Sequence, residues 1–333
     1  MALINRQIHL VRRPRGEPTA DCFALVEQPL GAPGPGQVLV RNEVLSLDPY
    51  MRGRMDDAKS YAQPQPLDAV MIGATAGEVL ESNDPAFRPG DKFAAKFGLG
   101  WQTHAIVDAR AIVKVDAARV PLSYYVGLLG MPGATAWYGT MKILEPAAGQ
   151  TVAVTAATGA VGSIVGQLAK AHGARVVGIA GGAAKCDYAV RELGFDACVD
   201  YKAAGWKDAL GAAAPGGIDR VFENVGGEIF DTLLARMNPF GRIAVCGLIS
   251  GYNGTPMPIQ NFRSVLVNKL RIQGFIISDH LELWPQAHRE LADLVLAGRL
   301  KYRESAAEGL ENAPAAFLAM LKGGNFGKQI VRL

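Results

Sequence analysis

The 333-residue sequence has few cysteines and no recognisable metal-ligand pattern. Cys22, Cys186, Cys198 and Cys246 are scattered without a C-x-x-C pair, and the five histidines show no H-E-x-x-H spacing. This scarcity argues against a disulfide framework and against a structural or catalytic zinc site. No G-x-S-x-G turn follows a predicted strand, which argues against a serine hydrolase. We therefore expect reduced thiols and no bound metal.

Long apolar runs and an excess of one charge are also missing. No apolar run reaches the roughly 18 residues of a membrane-spanning helix, and Met1–Arg6 lacks the apolar core of a secretion signal. The formal net charge of +3 is too small to indicate nucleic acid or a membrane as partner. With 49% hydrophobic and 20% charged residues, the composition is typical of a globular protein, and the length suggests about two domains. The scattered cysteines fit reduced thiols and therefore predict a cytoplasmic location.

A strand, a glycine-rich turn and a helix are present in the middle of the chain. The β-branched apolar run Thr151–Thr155 is typical of a buried parallel strand, and it leads into the turn A-T-G-A-V-G at Ala157–Gly162. This turn is G-x-G-x-x-G with alanine in the first position. A helix ending at Gly173 and a strand from Arg175 complete a βαβ unit. We predict that the turn binds a dinucleotide pyrophosphate; small residues used only for packing are the alternative.

The second strand of this unit lacks the acid that usually holds the ribose 2′-hydroxyl of NAD. That position falls in Ile179–Lys185, which contains no carboxylate to repel a 2′-phosphate. Lys185 lies at its end, and Tyr201 ends the next strand-like run. We therefore predict NADP(H) as the cofactor, although Lys185 taken alone fits a solvated lysine at a helix start equally well.

Two patterns of secondary structure divide the chain. Up to about residue 122, short strands alternate with turn clusters, which predicts a small irregular β-barrel. Beyond it, strands alternate with helices, which predicts a doubly wound parallel sheet. We expect a mostly β domain over 1–122, a Rossmann domain over 123–297 and a tail over 298–333 that returns to the first domain. The strands predicted in the first domain are Gln7–Val11, Phe23–Gln28, Gln37–Ser46, Ala76–Glu81, Lys92–Lys96 and His104–Val107.

Motifs along nearly the whole chain resemble those of one enzyme family. The most specific are D-P-Y-M-R-G at Asp48–Gly53 and G-x-I-S-x-Y-N at Gly247–Asn253; others lie at 130–136, 156–162, 223–227, 273–275 and 324–328. On these motifs the chain resembles the zinc-free medium-chain dehydrogenases/reductases of the leukotriene B4 dehydrogenase/prostaglandin reductase group, which includes plant double-bond reductases and bacterial curcumin reductases. The resemblance implies a catalytic GroES-like barrel domain, a Rossmann domain, NADPH-dependent reduction of a carbon–carbon double bond conjugated to a carbonyl, and a homodimer.

The resemblance also implies the residues of the site. Tyr252 would hold the substrate oxygen or help protonation, and Tyr50 would line the substrate cleft. Lys185 and Tyr201 would bind the 2′-phosphate, and Asn325 would reach the ribose-phosphate region. The other residues expected to contact the cofactor are Met131, Thr135, Thr158, Gly159, Ala160, Val161, Gly182, Asn224, Cys246, Gly247, Ile249, Ser250, Phe275 and Gly327.

The chemistry requires a hydrogen-bond donor and a proton. Hydride transfer to the β-carbon of an enone or enal leaves negative charge on the carbonyl oxygen, and the α-carbon must be protonated. Tyr252 suits the donor role because it follows a predicted strand end, where doubly wound sheets place ligands; Tyr50 is the alternative donor. A quinone oxidoreductase and a non-enzymatic NADP-binding protein are alternative functions. The G-x-I-S-x-Y-N run favours the enone reductase and leaves its physiological substrate and direction open.

Overall fold

The computed structural model describes residues 3–95 and 97–333. The last residue of the predicted strand Lys92–Lys96 therefore lies outside the described residues. The chain forms two compact units. The first, which we call the β-rich unit, comprises the residues up to Gly127 together with Glu304–Leu333, and the second, the α/β unit, is Leu128–Arg303.

Strands dominate the β-rich unit and alternate with helices in the α/β unit. The strands are β1 (Leu3–Leu10), β2 (Phe23–Leu30), β3 (Gln37–Ser46), β4 (Ala69–Val70), β5 (Thr75–Ser82), β6 (Lys92–Ala95), β7 (His104–Asp108), β8 (Ile112–Lys114), β9 (Thr151–Thr155), β10 (Arg175–Ala180), β11 (Ala197–Asp200), β12 (Ile218–Glu223), β13 (Met237–Val245), β14 (Arg271–Gly274), β15 (Glu304–Glu308) and β16 (Lys328–Arg332). The helices are α1 (Tyr50–Arg54), α2 (Met131–Tyr138), α3 (Gly162–Ala171), α4 (Ala183–Arg191), α5 (Trp206–Ala213), α6 (Gly227–Leu234), α7 (Arg263–Val267), α8 (Trp284–Leu296) and α9 (Ala313–Leu321).

The α/β unit is built on a parallel sheet with the order β11-β10-β9-β12-β13-β14. This is the Rossmann order, in which the chain reverses its direction of travel across the sheet between β9 and β12. Every residue of β9 is buried, as a strand covered by helices on both faces requires. The predicted doubly wound sheet is confirmed. Its ligand-binding edge is expected at the carboxyl ends of β9 and β12.

The β-rich unit contains two sheets of mostly antiparallel strands. One has the order β2-β1-β4, and the other runs β15-β16-β3-β5-β6-β8 with β7 added to β3. In the part of the chain that the structure describes, β15 and β8 end this larger sheet and do not pair with each other. No closed barrel is detected among these strands, and the predicted small irregular β-barrel is not confirmed.

The C-terminal segment belongs to the core of the β-rich unit. Strand β16 pairs antiparallel with β3, and β15 pairs parallel with β16. Phe317 of α9 packs edge-on against Trp101 and Phe23, and Phe317 and Trp101 are fully buried. Large buried aromatic rings contribute strongly to a core, so the last thirty or so residues stabilise this unit directly.

The segment before β9 differs from the sequence prediction. The apolar run Ser123–Gly130 predicts a helix, but the structure has a short 3₁₀ turn at Leu122–Val126 and begins α2 at Met131. Pro132 lies in the first turn of α2, where its missing N–H costs no hydrogen bond. A proline in the first turn is thus compatible with a helix that begins at Met131 and not at Ser123.

Candidate cofactor and active site

The predicted pyrophosphate turn connects β9 to α3. Ala156 has a left-handed backbone with φ of 49°. Gly162, the first residue of α3, packs so closely on this turn that a Cβ there would lie 2.4 Å from the Ala156 carbonyl oxygen. The first N–H groups of α3 have no intrahelical acceptor, as at any helix start. Close backbone approach and donors at a helix N-terminus fit a dinucleotide pyrophosphate.

A cationic corner lies where β10 and β11 end. Gly182, with φ of 106°, precedes α4, which carries Lys185. The side chains of Tyr201 and Lys202 lie against Gly181, since a Cβ there would be 3.0 Å from Cε1 of Tyr201 and 2.9 Å from Cε of Lys202. Burial, and then the charge of Lys202, lower the pKa of Lys185. Two lysines and a tyrosine hydroxyl are therefore brought together, which suits a phosphate.

Asp200 is the carboxylate of this corner, and it binds the backbone. Its Oδ1 accepts the N–H of Gly182 at 2.8 Å and that of Lys202 at 3.0 Å. The carboxylate thereby ties the loop after β10 to the loop after β11. Asp200 therefore positions the two segments that carry the lysines. It does not take the place of the ribose-binding acid, which the end of β10 lacks.

The carboxyl ends of β9, β12 and β13 form a hydrogen-bonded edge. Asn224 donates from its backbone N–H to Thr155 Oγ1 at 2.7 Å and from Nδ2 to the Thr155 carbonyl at 2.8 Å. The Glu223 carbonyl accepts the N–H groups of Cys246 at 2.9 Å and Gly247 at 3.2 Å. The structure therefore brings the predicted cofactor residues Asn224, Cys246 and Gly247 together beside the point where the chain reverses direction.

Tyr252 lies at the same edge. The Ile249–Gly251 turn before it is held by Asn224 and Val225, whose carbonyls accept the N–H groups of Ile249 at 3.2 Å and Ser250 at 2.9 Å. The half-buried Tyr252 places its hydroxyl 3.5 Å from the Leu248 nitrogen, and a Cβ on Gly247 would be 3.2 Å from it. The hydroxyl of Tyr252 is thus a polar group at the ligand-binding edge of the sheet.

Tyr50 lies in the β-rich unit, at the start of α1. Asp48 lies two residues before Tyr50 and is paired with Lys328. The fully buried Lys328 donates to Asp48 Oδ1 at 2.9 Å and to the Leu47 carbonyl at 2.6 Å. Ser46 adds a hydrogen bond to the other oxygen of Asp48. Burial, and then the charge of Asp48, raise the pKa of the Tyr50 hydroxyl above its ordinary range. Tyr50 therefore remains protonated and can donate a hydrogen bond.

The remaining residues predicted to contact the cofactor differ in what their side chains contact within the protein. Thr135 Oγ1 donates to the Met131 carbonyl at 2.7 Å, so this hydroxyl is engaged by its own helix. The ring of Phe275 packs against Tyr138 and Phe222. In the β-rich unit, Asn325 Nδ2 donates to the Gly327 carbonyl at 2.7 Å, which folds that turn just before β16. Thr158 is buried in the pyrophosphate turn, and the residues that follow it up to α3 are half-buried: Gly159, Ala160 and Val161.

Two residues were missed as members of the site by sequence reasoning. Lys202 directly follows Tyr201, which the sequence analysis expected to bind the 2′-phosphate. This position at a strand end could have indicated that Lys202 also binds the phosphate. Glu223 is completely buried at the end of β12, where burial raises the pKa of its carboxyl to about 7. Its signal was a carboxylate directly after an apolar strand, at the edge where ligands bind.

We also searched the described residues for metal-binding groups and for membrane-spanning helices. Across residues 3–95 and 97–333, no group of three or more His, Cys, Asp or Glu side chains is arranged to hold a metal ion. No helix in these two ranges has both the length and the apolar character needed to cross a membrane.

The fold and the site together define a class of protein. A Rossmann sheet with a pyrophosphate turn, joined in one chain to a mostly β unit, is the architecture of medium-chain dehydrogenases/reductases. Two family models match: one described as the N-terminal domain of oxidoreductase over residues 6–115, and one described as zinc-binding dehydrogenase over residues 160–293.

Individual relatives narrow this class. The chain is 45% identical to NADPH-dependent curcumin reductase of Escherichia coli, over 99% of this chain and 97% of the relative. It is 41% identical to 2-alkenal reductase (NADP⁺-dependent) of Nicotiana tabacum, over 90% and 88% of the two chains. The crystal structure of CurA from Vibrio vulnificus in complex with NADPH superimposes with a TM-score of 0.93, at 44% identity over 98% of each chain. The chain therefore belongs to the medium-chain dehydrogenase/reductase group of curcumin, 2-alkenal and prostaglandin reductases.

Proposed function

We propose that this protein uses NADPH to reduce the carbon–carbon double bond of α,β-unsaturated ketones or aldehydes, with hydride delivered to the β-carbon. The observation that carries the proposal is the Tyr252 hydroxyl at the carboxyl edge of the Rossmann sheet. It occurs in a chain that is 45% identical to a relative described as NADPH-dependent curcumin reductase. The 2-alkenal reductase and prostaglandin reductase relatives support the same reaction class.

We assign the cofactor-binding residues from their positions in the two units. Lys185, Tyr201 and Lys202 would hold the 2′-phosphate, since two lysines converge there and Asp200 is engaged by backbone N–H groups. The turn before α3 would hold the pyrophosphate. When bound, NADPH supplies the hydride. We assign further contacts to Met131, Thr135, Thr158, Gly159, Ala160, Val161, Gly182, Asn224, Cys246, Gly247, Ile249, Ser250, Phe275, Asn325 and Gly327.

The protein's own contribution is to stabilise charge on the substrate. As the β-carbon accepts hydride, the carbonyl oxygen takes up the negative charge of an enolate. A donor already aimed at that oxygen lowers the barrier because it needs no reorganisation. We assign this role to the Tyr252 hydroxyl. Tyr50 is the second candidate because its D-P-Y-M-R-G motif resembles the one that lines the substrate cleft in the family. A proton taken up from solvent then adds to the α-carbon and completes the reduction.

We further infer that the two units divide the work. The α/β unit would be the NADP-binding domain, and the β-rich unit, with its C-terminal segment, would be the catalytic domain. The family to which the chain belongs supports relating the β-rich unit to GroES-like barrels. A cytoplasmic location is part of this proposal, and cell fractionation with a tagged chain tests it.

A homodimer is also proposed, through the face formed by α7 and β14. Phe262, Leu266 and Val267 are 62%, 81% and 51% exposed, and β14 is an edge strand of the sheet in the described residues. Exposed apolar side chains beside an open strand edge suit pairing with a second copy about a two-fold axis. Sedimentation of the wild type should give a dimer, and Leu266→Asp should give a monomer; a monomeric wild type contradicts the proposal.

The central experiment follows the loss of NADPH absorbance at 340 nm. Short enals, long enones, aryl enones and 1,4-quinones are tested with the purified protein, and the products are identified by mass. Saturated ketones or aldehydes are expected from enones and enals. Turnover of quinones without any enone reduction would instead indicate a quinone oxidoreductase. Cofactor binding without turnover of any of these would indicate a non-enzymatic NADP-binding protein.

A further inference from the structure

Glu223 holds the turn that follows β12. Its side chain is completely buried, and one oxygen, Oε1, accepts three hydrogen bonds. The donors are the backbone N–H of Val225 at 2.5 Å, that of Gly226 at 2.7 Å and the hydroxyl of Thr155 at 3.1 Å. The carboxyl therefore joins the end of β9 to the turn after β12 through a single acceptor.

The same turn supports the segment that carries Tyr252. The Asn224 carbonyl accepts the N–H of Ile249 at 3.2 Å, and the Val225 carbonyl accepts both the N–H and the hydroxyl of Ser250, at 2.9 Å and 2.6 Å. Met257 and Leu248 pack on Gly226 so closely that a Cβ there would lie 2.8 Å from the Met257 sulfur and 3.1 Å from Leu248 Cδ2. A continuous set of contacts thus leads from Glu223 to the proposed donor.

The carboxyl is costly to bury and is incompletely satisfied. Within the described residues, Oε2 of Glu223 has no hydrogen-bond partner. Burial raises the pKa of this carboxyl to about 7, against the hydrogen bonds to Oε1, which favour the charged form. The neighbouring Cys246 is half-buried, and desolvation followed by the Glu223 charge raises the pKa of its thiol to about 12. An apolar residue would avoid this cost but would leave the N–H groups of Val225 and Gly226 without their acceptor, so the carboxyl is required by the turn that it holds.

We propose that Glu223 is a positioning residue for the reaction. Its carboxyl fixes the Asn224–Gly227 turn, and through that turn the Ile249–Tyr252 segment, in the arrangement that charge stabilisation by Tyr252 requires. This inference rests on the proposed enone reduction and adds a residue that does not itself touch substrate or cofactor. Because displacement of a donor by about an ångström can cost 10²-fold in rate, losing this support should be visible in turnover.

The chain offers a matched control at the other end of the same strand. Asp219 lies near the start of β12, where its Oδ2 accepts the N–H of Thr151, the first residue of β9, at 2.8 Å. Glu223 makes the corresponding link to Thr155, the last residue of β9. Asp219→Ala should therefore lower stability without moving the Ile249–Tyr252 segment.

The first measurement is amide hydrogen exchange of the protein without ligand. In Glu223→Ala, the amides of Ile249 and Ser250 should exchange at least about tenfold faster, because their acceptors lie on the turn that has lost its support. In Glu223→Gln they should stay within about threefold of wild type, since the amide oxygen can accept the same three bonds. Asp219→Ala should leave them unchanged. Unchanged exchange in Glu223→Ala refutes the inference whether or not the protein reduces enones.

The second measurement separates turnover from cofactor affinity. Glu223→Ala should lower kcat on an enone by about tenfold or more and raise the Kd for NADPH by a clearly smaller factor. The contacts assigned to Asn224, Ile249 and Ser250 move with the turn, but the phosphate corner lies on other strands and should keep most of the affinity. Glu223→Gln should restore most of kcat. If Glu223→Ala does not fold, Glu223→Asp replaces it, since the shortened carboxylate cannot keep all three bonds. A kcat loss no greater than in Asp219→Ala refutes the inference.

The third measurement is a double-mutant cycle with Tyr252→Phe. If Glu223 acts through Tyr252, then Glu223→Ala should lower kcat by less than about threefold in the Tyr252→Phe background. Fully additive losses refute the proposed route. A wild-type protein that reduces no enone refutes the proposed function instead, and the exchange measurement then still decides whether Glu223 holds the segment.

Discussion

The ionisation of Glu223 should make the stability of the protein depend on pH in a predictable way. Burial raises the pKa of this carboxyl from 4.5 to about 7 in the folded protein. Between these two values the folded state holds a proton that the unfolded state has released. Stability from this group is therefore fully present below about pH 4.5 and is lost as the pH rises through about 7.

The magnitude follows from the size of the shift. One pKa unit is worth about 1.4 kcal/mol, so a shift from 4.5 to about 7 corresponds to about 3 kcal/mol of folding free energy. Glu223→Gln removes the titration while it keeps the size of the side chain and an acceptor oxygen. Cys246 does not contribute, because its thiol remains protonated over this pH range.

The assay is urea unfolding of both proteins at pH 5 and pH 8, followed by tryptophan fluorescence. Other titrating groups are common to both proteins, so the difference between their pH dependences isolates Glu223. Between pH 5 and pH 8, the free energy of unfolding of the wild type should fall by about 3 kcal/mol more than that of Glu223→Gln. Equal losses, or a smaller loss in the wild type, would show that the buried carboxyl is not shifted upwards and would refute the reasoning.

The remaining predictions concern the binding and catalytic residues. Lys185→Ala and Lys202→Ala should each weaken NADPH binding by about tenfold or more, because a charge-assisted bond to phosphate is worth about 1.5–3 kcal/mol. Both should leave NADH affinity nearly unchanged. Calorimetry measures the affinities, and equal NADPH and NADH affinities in the wild type contradict the prediction. Tyr252→Phe should lower kcat by up to about 10²-fold with little change in NADPH affinity, whereas full turnover here and its loss in Tyr50→Phe would reverse the two roles. Lys328→Met should destabilise the protein by about 3–5 kcal/mol because it leaves a buried carboxylate unpaired, which unfolding midpoints measure; an unchanged midpoint contradicts this. A chelator should leave enone reduction unchanged, and stoichiometric zinc whose removal abolishes activity contradicts this.

Local sequence was sufficient to predict the central strand and turn of the Rossmann unit. Thr151–Thr155 reads as a buried strand, and Gly159 and Gly162 mark the turn after it, because strand propensity and glycine's backbone freedom act over a few residues. The absence of an acid in Ile179–Lys185 is likewise visible in the sequence. Tyr252 could be placed at a strand end because the apolar run before it is short and clear.

Tertiary structure alone decided the features that depend on distant partners. Strand order and the sheets of the β-rich unit arise from pairings such as β16 with β3, which join residues almost 300 positions apart and leave no local signal. Lys202 joins Lys185 only because β10 and β11 end side by side. The burial of Glu223, and hence the raised pKa of its carboxyl, results from the packing of β9, β12 and β13 around it. The sequence by itself determined which residues could form strands and turns; the sheet determined which of them meet, because hydrogen-bond partners and desolvation exist only in the folded chain.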